Sequence, residues 1–254
     1  MAEPLDIGTD GHVRVLTLDR PETRNALSGA LVRALYSALV EADEDGSVRA
    51  VVLTGRDPAF CAGVDLKEAA RDGAAYFAVF DDSDCIGQVA RMRTPVVGAI
   101  NGATFTGGLE MALGCDFLVA SERAVFADTH ARVGVLPGGG MTARLPHVVG
   151  WADARRMSLT GEVVDAARAL RMGLVSEVVP HGELLPRATT LAHAMAEVDP
   201  TTLHGVKAVY AQGWQATLGE SLAVEREMAA AHRPDFDQLE QRRLEVLARN
   251  RSQL

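Results

Sequence analysis

Short apolar runs alternate with helix-type periodicity along the first half of the chain, and this alternation most constrains the fold. Strand-like runs lie at 12–18, 49–54, 95–100, 115–120 and 124–127. Between them, residues 26–44 repeat apolar side chains at helical spacing, and residues 68–93 are helical in character with weak breaks. Strands that alternate with helices predict an α/β domain.

Helical periodicity dominates after Pro137. Predicted helices lie near 152–159, 166–172, 184–197, 203–212, 218–231 and 239–249, with one further strand at 175–179. The sequence therefore predicts a mixed core over residues 1–195, followed by a helical region over residues 196–254. A chain of 254 residues is long enough to bury a substantial core.

Charge and composition exclude several classes of protein. A formal net charge of −9 is poorly suited to non-specific nucleic-acid binding, which needs clustered cations. No stretch approaches 18 uncharged apolar residues, so no membrane span is predicted. The acidic N-terminus lacks a basic segment followed by an apolar run, which predicts a cytoplasmic location. The three cysteines, Cys61, Cys85 and Cys115, are widely spaced and predict neither a disulfide framework nor a metal site.

Two glycine-containing turns are the candidate binding elements. The first glycine turn is residues 60–67 and the second is residues 101–110, and each leads from a strand-like run into a helix. Backbone N–H groups are unpaired at the start of a helix, with the positive end of the helix dipole behind them. Two such turns facing each other could form an oxyanion hole, and Gly107 would allow close backbone approach. Glycine turns without a ligand are also common, and neither turn matches a phosphate-binding fingerprint.

Two side chains near these turns could carry chemistry. Glu110 falls in the first turn of a helix, where the dipole alone favours glutamate. A carboxylate beside an oxyanion hole can also move protons at an acyl α-carbon or activate water. His130 follows the run 124–127, and Asp128 could either orient it or cap the next segment.

At these residues the sequence resembles the crotonase superfamily, the enoyl-CoA hydratase/isomerase family. Its pieces occur in family order between about residues 13 and 179: LDRP at 18–21, RNAL at 24–27, FCAGVDLK at 60–67, PVV at 95–97, NG at 101–102, GGLE at 107–110, PG at 137–138, LTGE at 159–162 and GLV at 173–175. The resemblance implies an α/β fold, a crotonase-like spiral core of ββα units followed by a C-terminal helical trimerisation region. It also implies trimers, often paired into hexamers, and an acyl-CoA substrate of lipid metabolism.

The same resemblance implies roles for individual residues. The oxyanion hole would use the N–H groups of Val64 and Gly107. Coenzyme A would enter as part of the thioester substrate, with no separate cofactor. It would lie along two segments of the chain, at Arg24, Ala26, Ala62, Gly63, Asp65, Leu66 and Lys67.

One position departs from the family pattern. Family hydratases use two glutamates that share a proton: one acts as base on water, and its partner supplies the α-proton. Glu110 matches the first, whereas His130 occupies the position of the second, preceded by Thr129 in place of the usual proline. We expect hydration of a 2-enoyl-CoA by Glu110, with His130 assisting. Isomerisation, dehydration, hydrolysis of a thioester or β-diketone, and acyl-CoA binding with little catalysis remain as alternatives.

Overall fold

A computed structural model describes residues 3–213 of the chain, which divides into two compact units, residues 1–200 and residues 201–254. The first unit contains two β-sheets and most of the helices. The predicted boundary between residues 195 and 196 stays a prediction. The helices predicted at 218–231 and 239–249 lie outside the described residues.

The strands form two sheets. The strands of the larger sheet are β1 (Leu5–Asp10), β2 (Val13–Leu18), β3 (Ala50–Gly55), β5 (Val96–Ile100), β7 (Phe117–Ser121) and β10 (Glu177–Val179); those of the smaller are β4 (Ala59–Cys61), β6 (Ala103–Phe105), β8 (Val125–Ala127) and β9 (Val164–Asp165). The larger sheet has the order β1-β2-β3-β5-β7-β10 and is parallel except for β1 against β2. The smaller has the order β4-β6-β8-β9, with only β9 antiparallel.

Helices follow the strand pairs. They are α1 (Gly29–Glu44), α2 (Leu66–Asp72), α3 (Ala74–Asp82), α4 (Cys85–Arg91), α5 (Gly107–Ala112), α6 (His130–Val133), α7 (Met141–Val149), α8 (Trp151–Thr160), α9 (Ala166–Arg171), α10 (Leu184–Ala196) and α11 (Pro200–Gly213), with short 3₁₀ helices at Pro21–Thr23 and His181–Glu183. Three times, a strand of the larger sheet is followed by a strand of the smaller sheet and then by a helix. This repeat confirms the predicted α/β spiral of ββα units.

The central strands of the larger sheet, β3 and β5, are buried on both faces. Along β3, Val51 and Leu53 belong to the main apolar core, which contains side chains of α1 and α4, while Val52 belongs to a second core that contains side chains of α10. Successive side chains of a strand point to opposite faces, so a strand covered on both sides must be apolar throughout. This is why the run at 49–54 is continuous rather than alternating.

Capping residues set the helix boundaries where periodicity could not. Ser28 accepts a hydrogen bond from the Leu31 N–H, so α1 begins at Gly29 rather than at the predicted residue 26. The single helical stretch predicted at 68–93 is three helices. Gly73, with φ of 56°, separates α2 from α3, and Asp84 caps α4.

Several short elements were not predicted. The strands β4, β6 and β9 have two or three residues each, which is too short for a hydrophobic period to appear. In β1 only Leu5 is buried, so this strand exists because of its pairing with β2. Among residues 3–213, no helix has both the length and the apolar character needed to cross a membrane, and no three His, Cys, Asp or Glu side chains are grouped to hold a metal ion.

Asn25 fastens the loop before α1 to the smaller sheet. It is fully buried with φ of 55°. Its amide Nδ2 donates to the carbonyl oxygens of Arg56 (2.8 Å) and Ala59 (2.7 Å), and its Oδ1 accepts from the Arg20 N–H at 2.8 Å. One side chain thus satisfies three backbone groups and holds residues 24–27 beside β4.

We predict that Asn25→Ala lowers the free energy of unfolding by about 3 kcal/mol or more, because each unpaired buried polar group costs about 1–3 kcal/mol. Urea unfolding measures this, with the exposed Glu22→Ala in the preceding turn as the matched control. Equal midpoints for the two variants would contradict the assigned role.

Candidate active site

The two glycine turns lie side by side because the strands before them pair. In the parallel β4–β6 pair, Ala59 is opposite Ala103 and Cys61 is opposite Thr104. A Cβ atom built on Gly63 would lie 1.9 Å from Thr106 Oγ1, and the φ of Gly63 is 91°. Only glycine fits at this position, so the first glycine turn packs directly on the second.

Each turn presents a backbone N–H at the place predicted for the oxyanion hole. Within residues 3–213, the N–H groups of Val64 and Gly107 donate to no acceptor. Gly107 is the first residue of α5, and Val64 lies two residues before α2. A Cβ atom on Gly107 would lie 3.8 Å from the Gly63 Cα, so the two turns are in contact here. Two unpaired donors therefore come from adjoining turns.

Thr106 joins the two turns through a strained backbone. It has φ of 46°, an uncommon conformation for a β-branched residue, and lies immediately before Gly107. Its Oγ1 donates to the Ala62 carbonyl oxygen over 3.5 Å. Strain of this kind costs about 1–3 kcal/mol and clusters at functional sites.

The residues predicted to contact coenzyme A lie on two paired segments. The Ala62 N–H donates to the Arg24 carbonyl at 3.0 Å, and the Leu27 N–H donates to the Gly63 carbonyl at 2.8 Å. Exposed side chains border this pair at Arg24, Leu66 and Lys67. The structure thus brings all the predicted coenzyme A residues together.

Two of these residues also have structural partners. The Asp65 carboxylate caps α2 by accepting from the Glu68 N–H and pairs with Arg20 at 3.1 Å. Although burial opposes the shift, these contacts lower the pKa of Asp65. The Ala26 carbonyl accepts from the same Arg20 guanidinium at 2.6 Å. Arg20 therefore holds both segments in place.

The buried hydroxyl group of Tyr76 links the first glycine turn to the segment before α1. It is 2% exposed, its hydroxyl donates to the Leu27 carbonyl, and it accepts from the Asp65 N–H at 3.1 Å. Tyr76 is therefore a packing residue that bridges the two segments predicted to contact coenzyme A.

Glu110 has a buried carboxylate, and within the described residues only one of its two oxygens accepts hydrogen bonds. It is 3% exposed, and its Oε1 accepts from the backbone N–H groups of Gly139 (2.8 Å) and Met141 (3.2 Å). Oε2 forms no hydrogen bond within the described residues and lies 3.7 Å from His130 Nε2. Burial raises the pKa of Glu110 despite the two N–H bonds and the nearby imidazole.

His130 is held between two carboxylates. Its Nδ1 lies 2.6 Å from Asp128 Oδ1, and its Nε2 lies toward Glu110. The same Asp128 oxygen accepts from the His130 backbone N–H at 3.2 Å. Asp128 thus both orients the ring and caps the segment, the two roles considered from the sequence. Burial opposes protonation, but the hydrogen bond to Asp128 and the charge of Glu110 outweigh it and raise the pKa of His130.

Sequence reasoning missed the role of residues 138–140. These glycines precede α7, and the N–H groups of Gly139 and Met141 seat Glu110. A Cβ atom on Gly139 would lie 2.7 Å from Glu110 Oε2, so only glycine fits beside the carboxylate. The run of three glycines after Pro137 was the available signal, but the helix that follows was not predicted.

The nearby thiols are unsuited to nucleophilic catalysis. Cys61, in the first glycine turn, is fully buried, and burial raises the pKa of its thiol to about 12. Burial also raises the pKa of Cys85. A thiol is a strong nucleophile only as the thiolate, so neither cysteine is a candidate nucleophile.

Comparison with known proteins shows the family to which the chain belongs. The family described as Enoyl-CoA hydratase/isomerase matches residues 8–241. The chain belongs to the enoyl-CoA hydratase/isomerase family. A relative from Arabidopsis thaliana, named a probable peroxisomal enoyl-CoA hydratase, is 39% identical over 223 residues, covering 87% of this chain and 83% of the relative.

Solved structures from this family have the same fold. An enoyl-CoA hydratase from Bacillus anthracis superimposes with a TM-score of 0.86 at 31% identity, covering 98% of this chain and 96% of that one. An enoyl-CoA hydratase from Mycobacterium tuberculosis is 46% identical with a TM-score of 0.76, covering 90% and 97%. The family resemblance predicted from the motifs is confirmed.

The two glycines at the start of α5 should respond differently to a methyl group. A Cβ atom on Gly108 would lie 2.2 Å from the Cys61 carbonyl oxygen, whereas the nearest atoms to a Cβ atom on Gly107 would be side-chain carbons of Ile86 and Leu27 at 3.4 Å. We predict that Gly108→Ala lowers the free energy of unfolding by about 3 kcal/mol, a typical cost of overpacking. Gly107→Ala should change it far less. Urea unfolding of both variants checks this, and equal losses would contradict the close packing of α5 on the first turn.

Proposed function

We propose that the protein hydrates 2-enoyl-CoA thioesters, adding water across the C2–C3 double bond. The observation that carries this proposal is the buried carboxylate of Glu110. Its Oε2 lacks a hydrogen bond among the described residues, and Glu110 belongs to the same short helix, α5, as Gly107. Gly107 and Glu110 lie within one helical turn, about 5 Å apart along the axis. The carboxylate and one oxyanion donor are therefore close enough to act on the same substrate. Family membership supports the same reaction.

Glu110 acts as the base on water. As the water oxygen bonds to C3, Oε2 takes its proton, which suits a carboxylate whose burial has raised its pKa toward the working pH. The Gly139 and Met141 N–H groups hold Oε1 and keep Oε2 directed at the water. The same contacts limit rotation of the carboxylate during the reaction.

The oxyanion hole stabilises the charge that develops on the substrate. When water adds to C3, electrons of the double bond move onto the thioester oxygen and form an enolate. We assign the Val64 and Gly107 N–H groups as its donors. Each donor of this kind contributes roughly 3 kcal/mol of transition-state stabilisation, because it is oriented before the charge appears.

His130 is the second group at the water site. Its Nε2 lies 3.7 Å from Glu110 Oε2, too far for a direct hydrogen bond but within reach of one shared water. Coenzyme A enters with the substrate along the paired segments that contain Arg24, Ala62 and Lys67, and the reaction needs no other cofactor. Adding water to a double bond involves no net oxidation or reduction.

The decisive test follows the enoyl-thioester absorbance of crotonyl-CoA. We predict that Glu110→Gln lowers kcat by about 10²–10⁴-fold, the usual contribution of a general base. Affinity for a non-reactive acyl-CoA, measured by calorimetry, should change little, because the amide keeps the size of the carboxyl group.

The exposed Glu41→Gln on α1 is the matched control and should retain full activity. Wild-type turnover that survives Glu110→Gln would remove Glu110 from the mechanism. A parallel assay for free coenzyme A thiol identifies hydrolysis: thiol release without hydration would replace the proposed reaction.

We also propose a trimer or a hexamer, as the family resemblance implies. Light scattering coupled to gel filtration should give three or six times the chain mass of 27.0 kDa. A stable monomer that hydrates crotonyl-CoA at the same rate would contradict the assembly and leave the reaction intact.

The cytoplasmic location stays a prediction from the sequence. The family includes a relative named as peroxisomal, so membership alone fixes no compartment.

A further inference from the structure

Asp128 has a buried carboxylate that takes no direct part in the proposed hydration. It is 1% exposed and lies between the end of β8 and the start of α6. Its Oδ1 approaches His130 Nδ1 to 2.6 Å, a short distance typical of a charge-assisted hydrogen bond. Asp128, His130 and Glu110 therefore form a continuous buried series of three titratable groups.

This contact fixes which ring nitrogen of His130 carries the first proton. An ionised carboxylate only accepts hydrogen bonds, so Nδ1 must be the donor to Asp128. The second nitrogen, Nε2, is then left toward Glu110 Oε2 and the proposed water site. Nε2 is the atom that can gain or lose a proton during the reaction.

The net charge of these three groups equals that of the two glutamates in family hydratases. Two glutamates that share one proton carry a net charge of −1. Ionised Asp128, protonated His130 and ionised Glu110 also carry a net charge of −1, with one mobile proton between Nε2 and Oε2. An ionised aspartate joined to an imidazolium is neutral overall, like a protonated carboxyl group. The exchange of glutamate for histidine therefore leaves the net charge of the site unchanged.

We propose that the Asp128–His130 pair replaces the second glutamate as a neutral acid, with His130 as the proton donor to the substrate α-carbon and Asp128 as its positioning residue. This inference rests on the proposed hydration. The environment supports it, because the hydrogen bond to Asp128 and the charge of Glu110 offset burial and favour the imidazolium.

The proton transfers balance over one cycle. Glu110 Oε2 takes a proton from water as the water oxygen bonds to C3 and the enolate forms. The enolate collapses, and C2 takes the proton of His130 Nε2, which leaves a neutral ring still bonded to Asp128. The proton on Glu110 then returns to Nε2. The substrate has gained one hydrogen and one hydroxyl group, and the protein is restored.

Charged groups on the surrounding elements are engaged elsewhere. Arg132 of α6 donates to the Thr160 carbonyl, Arg144 of α7 donates to the Gly139 carbonyl, and Arg156 of α8 pairs with Glu162. Burial opposes ionisation of Asp128, but the hydrogen bonds from His130 and from Ser158 of α8 outweigh it and lower the pKa of that carboxyl group. Glu110 and Asp128 are the charges that act on His130.

The test is the pH profile of crotonyl-CoA hydration by Asp128→Asn. We expect kcat to fall on the order of 10²-fold, the contribution of a general acid, with KM changed little. The alkaline limb of the profile should move to lower pH, because loss of the Asp128 charge lowers the pKa of His130 and the acid form is lost earlier as pH rises. A structural defect alone would lower activity without moving the limb.

Asp165→Asn is the matched control, because it removes a carboxylate that caps α9 from the strand paired with β8. It should keep the wild-type rate and profile. An Asp128→Asn profile that coincides with wild type, or an equal loss at every pH, would overturn the proposal.

A measurement on the wild-type protein covers the case in which Asp128→Asn does not fold. Imidazole ¹⁵N chemical shifts of His130, assigned with His130→Gln, should show Nδ1 protonated throughout and Nε2 titrating. An Nδ1 without a proton would overturn the pair. If the wild type fails to hydrate crotonyl-CoA, the proposed function falls, and the ¹⁵N shifts still decide whether the pair exists.

Discussion

The packing of the first glycine turn on the second is the contact on which the rest of the site depends. Gly63, with its positive φ, leaves room for Thr106, and Gly108 leaves room for the Cys61 carbonyl. Side chains at either glycine would separate the turns and move the Val64 and Gly107 N–H groups apart. The pairing of β4 with β6 supplies the register that brings the turns together. Strands of three residues are thus sufficient, because each follows a buried strand of the larger sheet and those two strands, β3 and β5, are themselves paired.

The second requirement is electrostatic. Glu110 is placed where burial makes its charge costly, yet two backbone N–H groups hold one of its oxygens. The result is a carboxylate held in one orientation, with its pKa above that of an exposed glutamate. The N-terminal end of α7 is therefore part of the site, although it lies some thirty residues beyond Glu110 in sequence.

Sequence patterns predicted the parts of this site that depend on local chemistry. The strand, turn and helix order placed Glu110, Val64 and Gly107 correctly on their elements, and the motif order identified the family. The missed parts depend on tertiary contacts. Gly139 and Met141 bind Glu110 only because the start of α7 lies beside α5, and Tyr76 supports the first turn from a helix that periodicity merged with its neighbours. The three glycines after Pro137 signal a turn but not its contact with Glu110, and the contact of Tyr76 leaves no motif in the sequence.

The replacement of the second family glutamate by His130 can be understood only together with Asp128. A histidine placed alone in a buried site beside a carboxylate would be free to adopt either tautomer, and burial would favour its neutral form. Asp128, two residues earlier, removes that freedom through Nδ1 and also binds the His130 N–H, so backbone and ring are oriented by one carboxylate oxygen. Thr129 between them is the N-cap residue of α6, and its carbonyl accepts from the N–H groups of Arg132 and Val133. The segment from Asp128 to His130 is therefore one coordinated unit that both starts a helix and presents Nε2 to Glu110.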